Sequence, residues 1–441
     1  MKSSIRLLLA LALAISSSVL SMWSAAAQNV SSTPAALYQE VNNYQQRRYQ
    51  ELRAQGKTFD EEAAEKMGKE QRKLAAGHAT QLATRGDLKG VDIFYLGMLY
   101  NIADQRSEAF TAMRHFLAEG GADVSGSPAQ IARNIVGVYG AQNKLVDEAE
   151  AALAAYLSAE PKVPFHIFQM RMELAQARRK AKQHEQALAH AADAFAAAQT
   201  LDSKKLPPRT RREQLILDAG VTLADIRQDL KQKEEAQAVV LKLYNLAFDL
   251  PSANLYRVVT RRFAGKEREA REARGTEAAA GRAKTAPELT IAEWIDQPPV
   301  TLEELRGNVV LIDFWYEWCG PCRMAFPTLK NWHKKYKDKG LTIIGLTDYQ
   351  RTLGDSGMSE AQKLEWLRKF KTDEKLPYAF AVAKRVGANQ PAYGVSAYPT
   401  AMLIDRRGVV RHISIGVSPQ ELDELGGIIE KLIKEPAETG R

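Results

Sequence analysis

Apolar and polar positions follow two different patterns, one in the N-terminal part of the chain and one in the C-terminal third. Residues 35–265 are rich in Ala, Leu, Gln, Lys, Arg and Glu, with few glycines and little clustering of β-branched residues. This composition favours helices. After a charged run at 266–285, which predicts a solvated linker, short apolar runs alternate with helical patterns. The sequence therefore predicts a multidomain protein that is all-α first and α/β afterwards.

A degenerate repeat runs through the helical part. Small residues recur in pairs at a constant offset of twelve positions, namely Gly97 and Ala109, Gly137 and Ala149, Ala175 and Ala187, and Ala224 and Ala236. Small side chains at such an offset allow two antiparallel helices to approach closely. The pattern resembles tetratricopeptide repeats, although its period is longer than the roughly 34 residues of that family. We expect TPR-like helical hairpins over 86–265 after a polar helical segment at 28–85, and an irregular α-bundle is the alternative.

The C-terminal third, residues 286–441, carries signals for strands, helices and caps. Predicted strands are Val309–Trp315, Leu341–Thr347, Ala401–Ile404 and Val409–Ile415, the last two forming a hairpin. Predicted helices begin at Cys319, at Ser359 with Gln362 as its capping-box partner, and at Ser418 with Glu421 as its partner. Strands that alternate with helices predict a sheet covered on both faces.

The N-terminus has the layout of a secretory signal peptide. Lys2 and Arg6 precede the apolar stretch Leu7 to Ile15, and the small residues 25–27 precede Gln28. We expect residues 1–27 to be cleaved near Ala27 and the mature protein to be exported, with a bacterial periplasm as its compartment. An uncleaved membrane anchor is the alternative, but the apolar run has about half the length needed to span a bilayer.

Composition narrows the range of functions. The chain has 441 residues, a formal net charge of +8 and two cysteines. This length allows two or three domains, and their cores cannot depend on further disulfides. Since no basic stripe with interleaved aromatic residues is present, we do not expect nucleic-acid binding.

Both cysteines lie in the motif Cys319-Gly320-Pro321-Cys322, directly after an apolar run and at the start of a predicted helix. Thiol–disulfide exchange needs two sulfurs within bonding reach, and this spacing provides it. The unpaired amides of the first helical turn stabilise the thiolate of Cys319, the expected nucleophile, while Cys322 resolves the mixed disulfide. A zinc site and a purely structural disulfide are the alternatives. Zinc would need four ligands, and a disulfide at this spacing closes only a tiny loop.

The residues around this motif resemble a known family. Residues 311–318, followed by Cys-Gly-Pro-Cys, closely resemble thioredoxin, and residues 286–289 and 301–307 resemble the lead-in of exported TlpA/ResA-type reductases. Tyr398-Pro399-Thr400 is similar to the cis-proline segment of that fold. The resemblance covers about a third of the chain. It implies a C-terminal α/β thioredoxin-like fold and a function in thiol–disulfide exchange.

The resemblance also implies roles for individual residues. Asp313 matches the buried strand carboxylate that serves as the base for the second cysteine. Ala325 stands where ResA-like proteins often carry a glutamate, and we expect Glu317 to be solvated. The implied substrate groove consists of Trp318, Gly320, Pro321, Tyr398, Pro399 and Thr400, with Pro399 in the cis form. No cofactor and no metal site is predicted.

The sequence therefore favours an exported protein-disulfide reductase. Its expected partners are protein disulfides, a membrane thiol that donates electrons, and a protein bound by the helical module. Two alternatives stay open: an interaction scaffold with an accessory redox domain, and a thiol oxidant or peroxidase. Tyr316 and Ile312 stand where the peroxiredoxin pattern needs Thr or Ser and Pro, which argues against a peroxidase.

Overall fold

The computed structural model describes residues 33–55, 61–123, 126–206, 211–262, 284–349 and 358–436. The chain forms two compact units, residues 1–197 and 198–441. The predicted signal peptide and residues 266–283 of the predicted linker lie outside the described residues. None of the described helices has both the length and the apolar character that crossing a membrane requires.

The described part of the first unit is helical, as its composition predicts. Its helices are α1 (Pro34–Asn42), α2 (Tyr44–Ala54), α3 (Glu61–Ala83), α4 (Val91–Ile102), α5 (Arg106–Ala118), α6 (Ser127–Gln142), α7 (Val146–Leu157), α8 (Pro164–Lys180) and α9 (His184–Thr200), of which the last ends just inside the second unit. Apolar side chains of α4 to α8 form one core, which includes Phe116, Tyr156 and Met170. Leu37 and Val41 of α1 belong to a second core with α3 and α4.

One type of turn joins the helices of each hairpin. One residue has a positive φ in the α4–α5, α6–α7 and α8–α9 hairpins and in a later hairpin of helices Arg212–Asp229 and Lys233–Asp249; these residues are Asp104, Lys144, Lys182 and Lys231. The next amide donates to a carbonyl five residues back, as Gln105 does to Tyr100 over 2.9 Å. These are Schellman endings. The second member of each small-residue pair lies five positions after the positive-φ residue and is at most 2% exposed; these are Ala109, Ala149, Ala187 and Ala236. The offset found in the sequence therefore marks buried positions.

The second unit begins with helices and continues with a mixed sheet and the helices that cover it. Its elements are α10 (Arg212–Asp229), α11 (Lys233–Asp249), α12 (Ala253–Thr260), β1 (Ile291–Ile295), β2 (Val309–Phe314), α13 (Gly320–Tyr336), β3 (Leu341–Thr347), α14 (Glu360–Asp373), β4 (Ala379–Ala383), β5 (Thr400–Ile404), β6 (Val410–Ile415) and α15 (Pro419–Lys434). The described strands are ordered β1-β4-β3-β2-β5-β6. β2, β3 and β4 run parallel, and the remaining pairs are antiparallel. The fold is thioredoxin-like.

Strand β2 is the centre of this sheet and is buried on both faces. Successive side chains of a strand point to opposite faces, and Leu311 and Ile312 are both fully buried. Leu311 and Trp315 belong to a core cluster that contains both cysteines and apolar residues of α13, α14 and α15. The predicted cover on both faces, the β5–β6 hairpin and the Ser359 capping box are confirmed.

Helix α12 is hydrogen-bonded to the loop between β4 and β5. The amides of Ala253 and Asn254 donate to the carbonyls of Tyr393 and Gly394 over 3.1 and 3.0 Å. Gly394 has a φ of +53°, and a Cβ atom there would lie 2.4 Å from Oγ of Ser252. Helices α10–α12 belong to the same compact unit as the sheet. The domain boundary that the charged run at 266–285 predicts stays a prediction. Backbone atoms make the contact between α12 and the loop, and backbone atoms leave no trace in a hydropathy pattern.

Candidate active site

The two cysteines lie where β2 leads into α13. They form a disulfide with an S–S distance of 2.10 Å. Cys319 is the N-cap of α13, and its Sγ accepts the amide of Cys322 over 3.3 Å. Cys319 is 5% exposed and Cys322 is 0% exposed. Cys319 is therefore the more accessible cysteine, and it lies at the helix end where free amides favour a negative charge.

Asp313 lies in β2 and is 3% exposed. Its side chain shares a strand face with Leu311 and Trp315, which pack in the same core cluster as both cysteines. Its Oδ2 makes no hydrogen bond with any described residue. Burial raises the pKa of Asp313 to about 7. A carboxyl group with this pKa can accept and return a proton near neutral pH.

The implied cis-proline segment lies beside the end of β2. The Tyr398–Pro399 peptide bond is cis, as the resemblance implies. Thr400 pairs with Phe314 across the antiparallel β2–β5 ladder, so the segment lies close to the residues that precede Cys319. Thr400 is 0% exposed, and its hydroxyl donates to the carbonyl of Ala397 over 2.8 Å. The side chain of this predicted groove residue is thus not available to a substrate.

The other predicted groove residues differ in their exposure. Trp318 is 39% exposed, and Gly320 and Pro321 are exposed as well, whereas Tyr398 is half-buried and Pro399 is buried. Trp315 is 1% exposed, and its ring packs on those of Phe326, Phe370 and Phe380 in the core.

Glu317 differs from the expectation. It was predicted to be solvated, but it is 1% exposed. Its neighbours Tyr316 and Cys319 are buried too, whereas Trp318 between them is exposed, so most of the connection between β2 and α13 is covered by the fold. Ala325, which stands where ResA-like proteins often carry a glutamate, is also buried.

A polar network next to the dithiol was not found by sequence reasoning. The hydroxyl of Tyr316 donates to Oδ2 of the buried Asp348 over 2.9 Å. Nε2 of Gln390 lies 3.1 Å from Oδ2 of Asp348, 3.4 Å from the hydroxyl of Tyr316 and 3.3 Å from the hydroxyl of Tyr398. Burial and the neighbouring Asp348 raise the pKa of Tyr316, which keeps this hydroxyl a donor. The position of Asp348 directly after the buried strand β3 could have indicated a functional residue in the sequence, whereas no sequence pattern points to Gln390.

The comparisons with known proteins concern the C-terminal third. The Redoxin family matches residues 282–429. The chain is 29% identical to the thiol-disulfide oxidoreductase ResA of Bacillus cereus over 149 residues, which cover 34% of this chain and 77% of ResA. It is 32% identical to the protein DipZ of Mycobacterium tuberculosis over 148 residues, which cover 32% of this chain and 20% of DipZ. The chain thus spans about a fifth of the length of DipZ.

Among solved structures, a putative thiol:disulfide interchange protein DsbE from Chlorobium tepidum is 28% identical, with a TM-score of 0.29. The match covers 34% of this chain and 95% of that chain.

The C-terminal third is therefore a Redoxin domain, homologous to the thiol–disulfide oxidoreductases. This agrees with the TlpA/ResA-like, thioredoxin-fold domain that the sequence resemblance implies.

Proposed function

We propose that the protein is an exported protein-disulfide reductase. The observation that carries this proposal is the Cys319–Cys322 disulfide at the start of α13, with Cys319 more accessible than Cys322. The carboxyl group of Asp313, whose pKa is about 7, lies on the strand face that packs toward this pair. The proposal therefore assigns Cys319 as the nucleophile, Cys322 as the resolving thiol and Asp313 as the proton acceptor.

The cycle begins with both cysteines reduced. The thiolate of Cys319 attacks one sulfur of a substrate disulfide, the substrate S–S bond breaks, and the first substrate thiolate leaves. Asp313 accepts the proton of Cys322, whose thiolate then attacks Sγ of Cys319. This attack breaks the bond between Cys319 and the substrate sulfur, the second substrate thiolate leaves and takes the proton from Asp313, and the Cys319–Cys322 disulfide forms. Two electrons have passed to the substrate, and a dithiol donor must return two electrons and two protons.

The residues between the cysteines favour reduction over oxidation. Gly320 and Pro321 give the Cys-Gly-Pro-Cys motif of thioredoxin, whose potential is about −270 mV, against about −120 mV for the strong oxidant DsbA. That gap corresponds to about 7 kcal/mol for two electrons. We therefore assign the direction of a reductase and, in an oxidising compartment, a membrane thiol as the electron donor.

Trapping of substrates on the full chain tests this function. Cys322→Ser should accumulate mixed disulfides with protein substrates, while Cys319→Ser should accumulate none. In the reduced wild type, iodoacetamide near neutral pH should label Cys319 before Cys322. Preferential labelling of Cys322 would reverse the two roles, and a potential close to that of DsbA in glutathione buffers would reverse the direction.

We further propose that the helical hairpins form a TPR-like module that binds a protein partner. Two observations support this: the hairpins have the same type of turn, and the first unit has a groove of about 500 Å³. Residues of α3 to α5 line the groove, including Leu96, Tyr100 and His115. The test adds Tyr100→Ala to the Cys322→Ser trap. If the module recruits substrates, the set of trapped proteins shrinks, whereas an unchanged set would assign the groove no part in recruitment.

A further inference from the structure

Tyr398 occupies a special position in the groove because it directly precedes the cis-proline. Its backbone amide and carbonyl make no hydrogen bond with the described residues, whereas the carbonyl of Pro399 accepts the amide of Gly416 over 2.8 Å. An extended substrate segment can therefore pair with the backbone of Tyr398. Any such pairing depends on how firmly Tyr398 is held.

Two kinds of contact hold the ring of Tyr398. The ring meets that of Tyr316 edge to face at 4.7 Å, and Tyr316 in turn stacks on the exposed Trp318 at 5.1 Å. The hydroxyl of Tyr398 lies 3.3 Å from Nε2 of Gln390. The rings of Trp318, Tyr316 and Tyr398 are thus in contact in that order, and Gln390 contacts the two tyrosines.

The side chain of Gln390 contacts the carboxyl group of Asp348. Its Nε2 lies 3.1 Å from Oδ2 of Asp348, which also accepts the hydroxyl of Tyr316 and the amide of Gly387. Its Oε1 is buried without a hydrogen-bond partner among the described residues. The polar contacts of this side chain that the structure shows are therefore all directed to the network of Tyr316, Asp348 and Tyr398.

We propose that Gln390 is a positioning residue that determines specificity, because it ties Tyr398 to the Tyr316–Asp348 pair and so fixes the cis-proline side of the groove for extended polypeptide disulfides. The inference rests on the proposed disulfide chemistry. A small disulfide reaches Cys319 without pairing to the backbone of Tyr398. The tie should therefore affect polypeptide substrates more than small ones.

The test compares two substrates on the full-length reduced protein, insulin and hydroxyethyl disulfide. Loss of one hydrogen bond of ordinary strength should lower the ratio of their second-order rate constants, insulin over hydroxyethyl disulfide, about fivefold in Gln390→Leu and in Tyr398→Phe. Because both changes break the same tie, the double variant should lose little more than either single variant.

Tyr393→Phe is the matched control. It removes a hydroxyl from the same loop, but this hydroxyl donates to the carbonyl of Pro287 and not to the network. It should lower stability and leave the substrate ratio unchanged. Equal losses for both substrates in Gln390→Leu, or fully additive losses in the double variant, would overturn the inference. A wild type that reduces neither substrate would instead overturn the proposed function.

Discussion

The carboxyl group of Asp313 should make the stability of the second unit depend on pH in an unusual direction. Burial raises its pKa from 3.8 to about 7 in the folded protein. Between these two values the folded state binds more protons than the unfolded state, so stability falls as the pH rises. Below pH 3.8 the carboxyl group is protonated in both states, and above about pH 7 the stabilisation by its protonation in the folded state is lost completely.

The size of this effect follows from the two pKa values. A shift of about three pH units corresponds to about 4 kcal/mol at about 1.4 kcal/mol per unit, and more than half of it falls between pH 5 and 8. Asp313→Asn removes the titration but keeps the shape of the side chain. We therefore expect the unfolding free energy of the variant to rise relative to that of the wild type as the pH increases, so that the variant is the more stable protein at pH 8.

Urea unfolding followed by tryptophan fluorescence suits this measurement. Five of the six tryptophans lie between Trp294 and Trp366, in the second unit, and the other, Trp23, lies in the predicted leader. The quantity of interest is the unfolding free energy of the wild type minus that of Asp313→Asn, measured for the disulfide form from pH 5 to 8. Asp423→Asn, which removes an exposed carboxyl group, controls for the change in net charge.

Parallel stability curves for the wild type and Asp313→Asn would refute the reasoning. They would mean that the carboxyl group keeps an ordinary pKa in the folded protein. A difference that grows in the opposite direction, with the wild type gaining as the pH rises, would mean that Asp313 is held ionised. Either result would also remove Asp313 as the proton acceptor for Cys322.

Three further predictions concern kinetics, packing and export. In Asp313→Asn, the rate of attack by Cys319 should change little, whereas the rate of mixed-disulfide release between pH 6 and 9 should fall. Stopped-flow kinetics can measure both steps. An unchanged release rate would mean that the carboxyl group of Asp313 is only structural. Gly394→Ala should lower the unfolding free energy by about 2 to 3 kcal/mol, because the new Cβ would meet Ser252 and the residue has a positive φ. Gly427→Ala, which adds a Cβ in open space on α15, should raise the unfolding free energy by up to about 1 kcal/mol. Equal melting temperatures for these two variants would contradict the packing argument. Sequencing of the mature N-terminus should begin near Gln28, and recovery of Met1 in the membrane fraction would indicate an anchor.

Sequence reasoning succeeded where one local signal determines the structure. β-branched runs located β2 and β3, side-chain caps located the helices that begin after Ser359 and Ser418, and a constant offset located the buried alanines of the hairpins. The motif also identified the cysteine pair and, through the resemblance, the cis peptide bond before Pro399.

It failed where contacts form between distant segments. The alanine-rich β4 gave no strand signal, yet it pairs with β3 and β1 in the sheet. Glu317 looked like a surface residue because burial of a loop acid depends on what encloses the loop. Gln390 joins the network across more than forty residues from Asp348, a contact that no periodicity can reveal.

The hydrogen bonds from Ala253 and Asn254 to the loop before the cis-proline have a consequence for how this chain can be divided. A single cut between 262 and 284 would separate α10–α12 from the sheet covalently, but the two fragments would still share that contact. A nicked protein should therefore remain a complex of two pieces, and a redox domain transplanted from residue 286 onward would lose a helix that supports its groove loop. We therefore expect a fully stable exchangeable module of this protein to begin before α10.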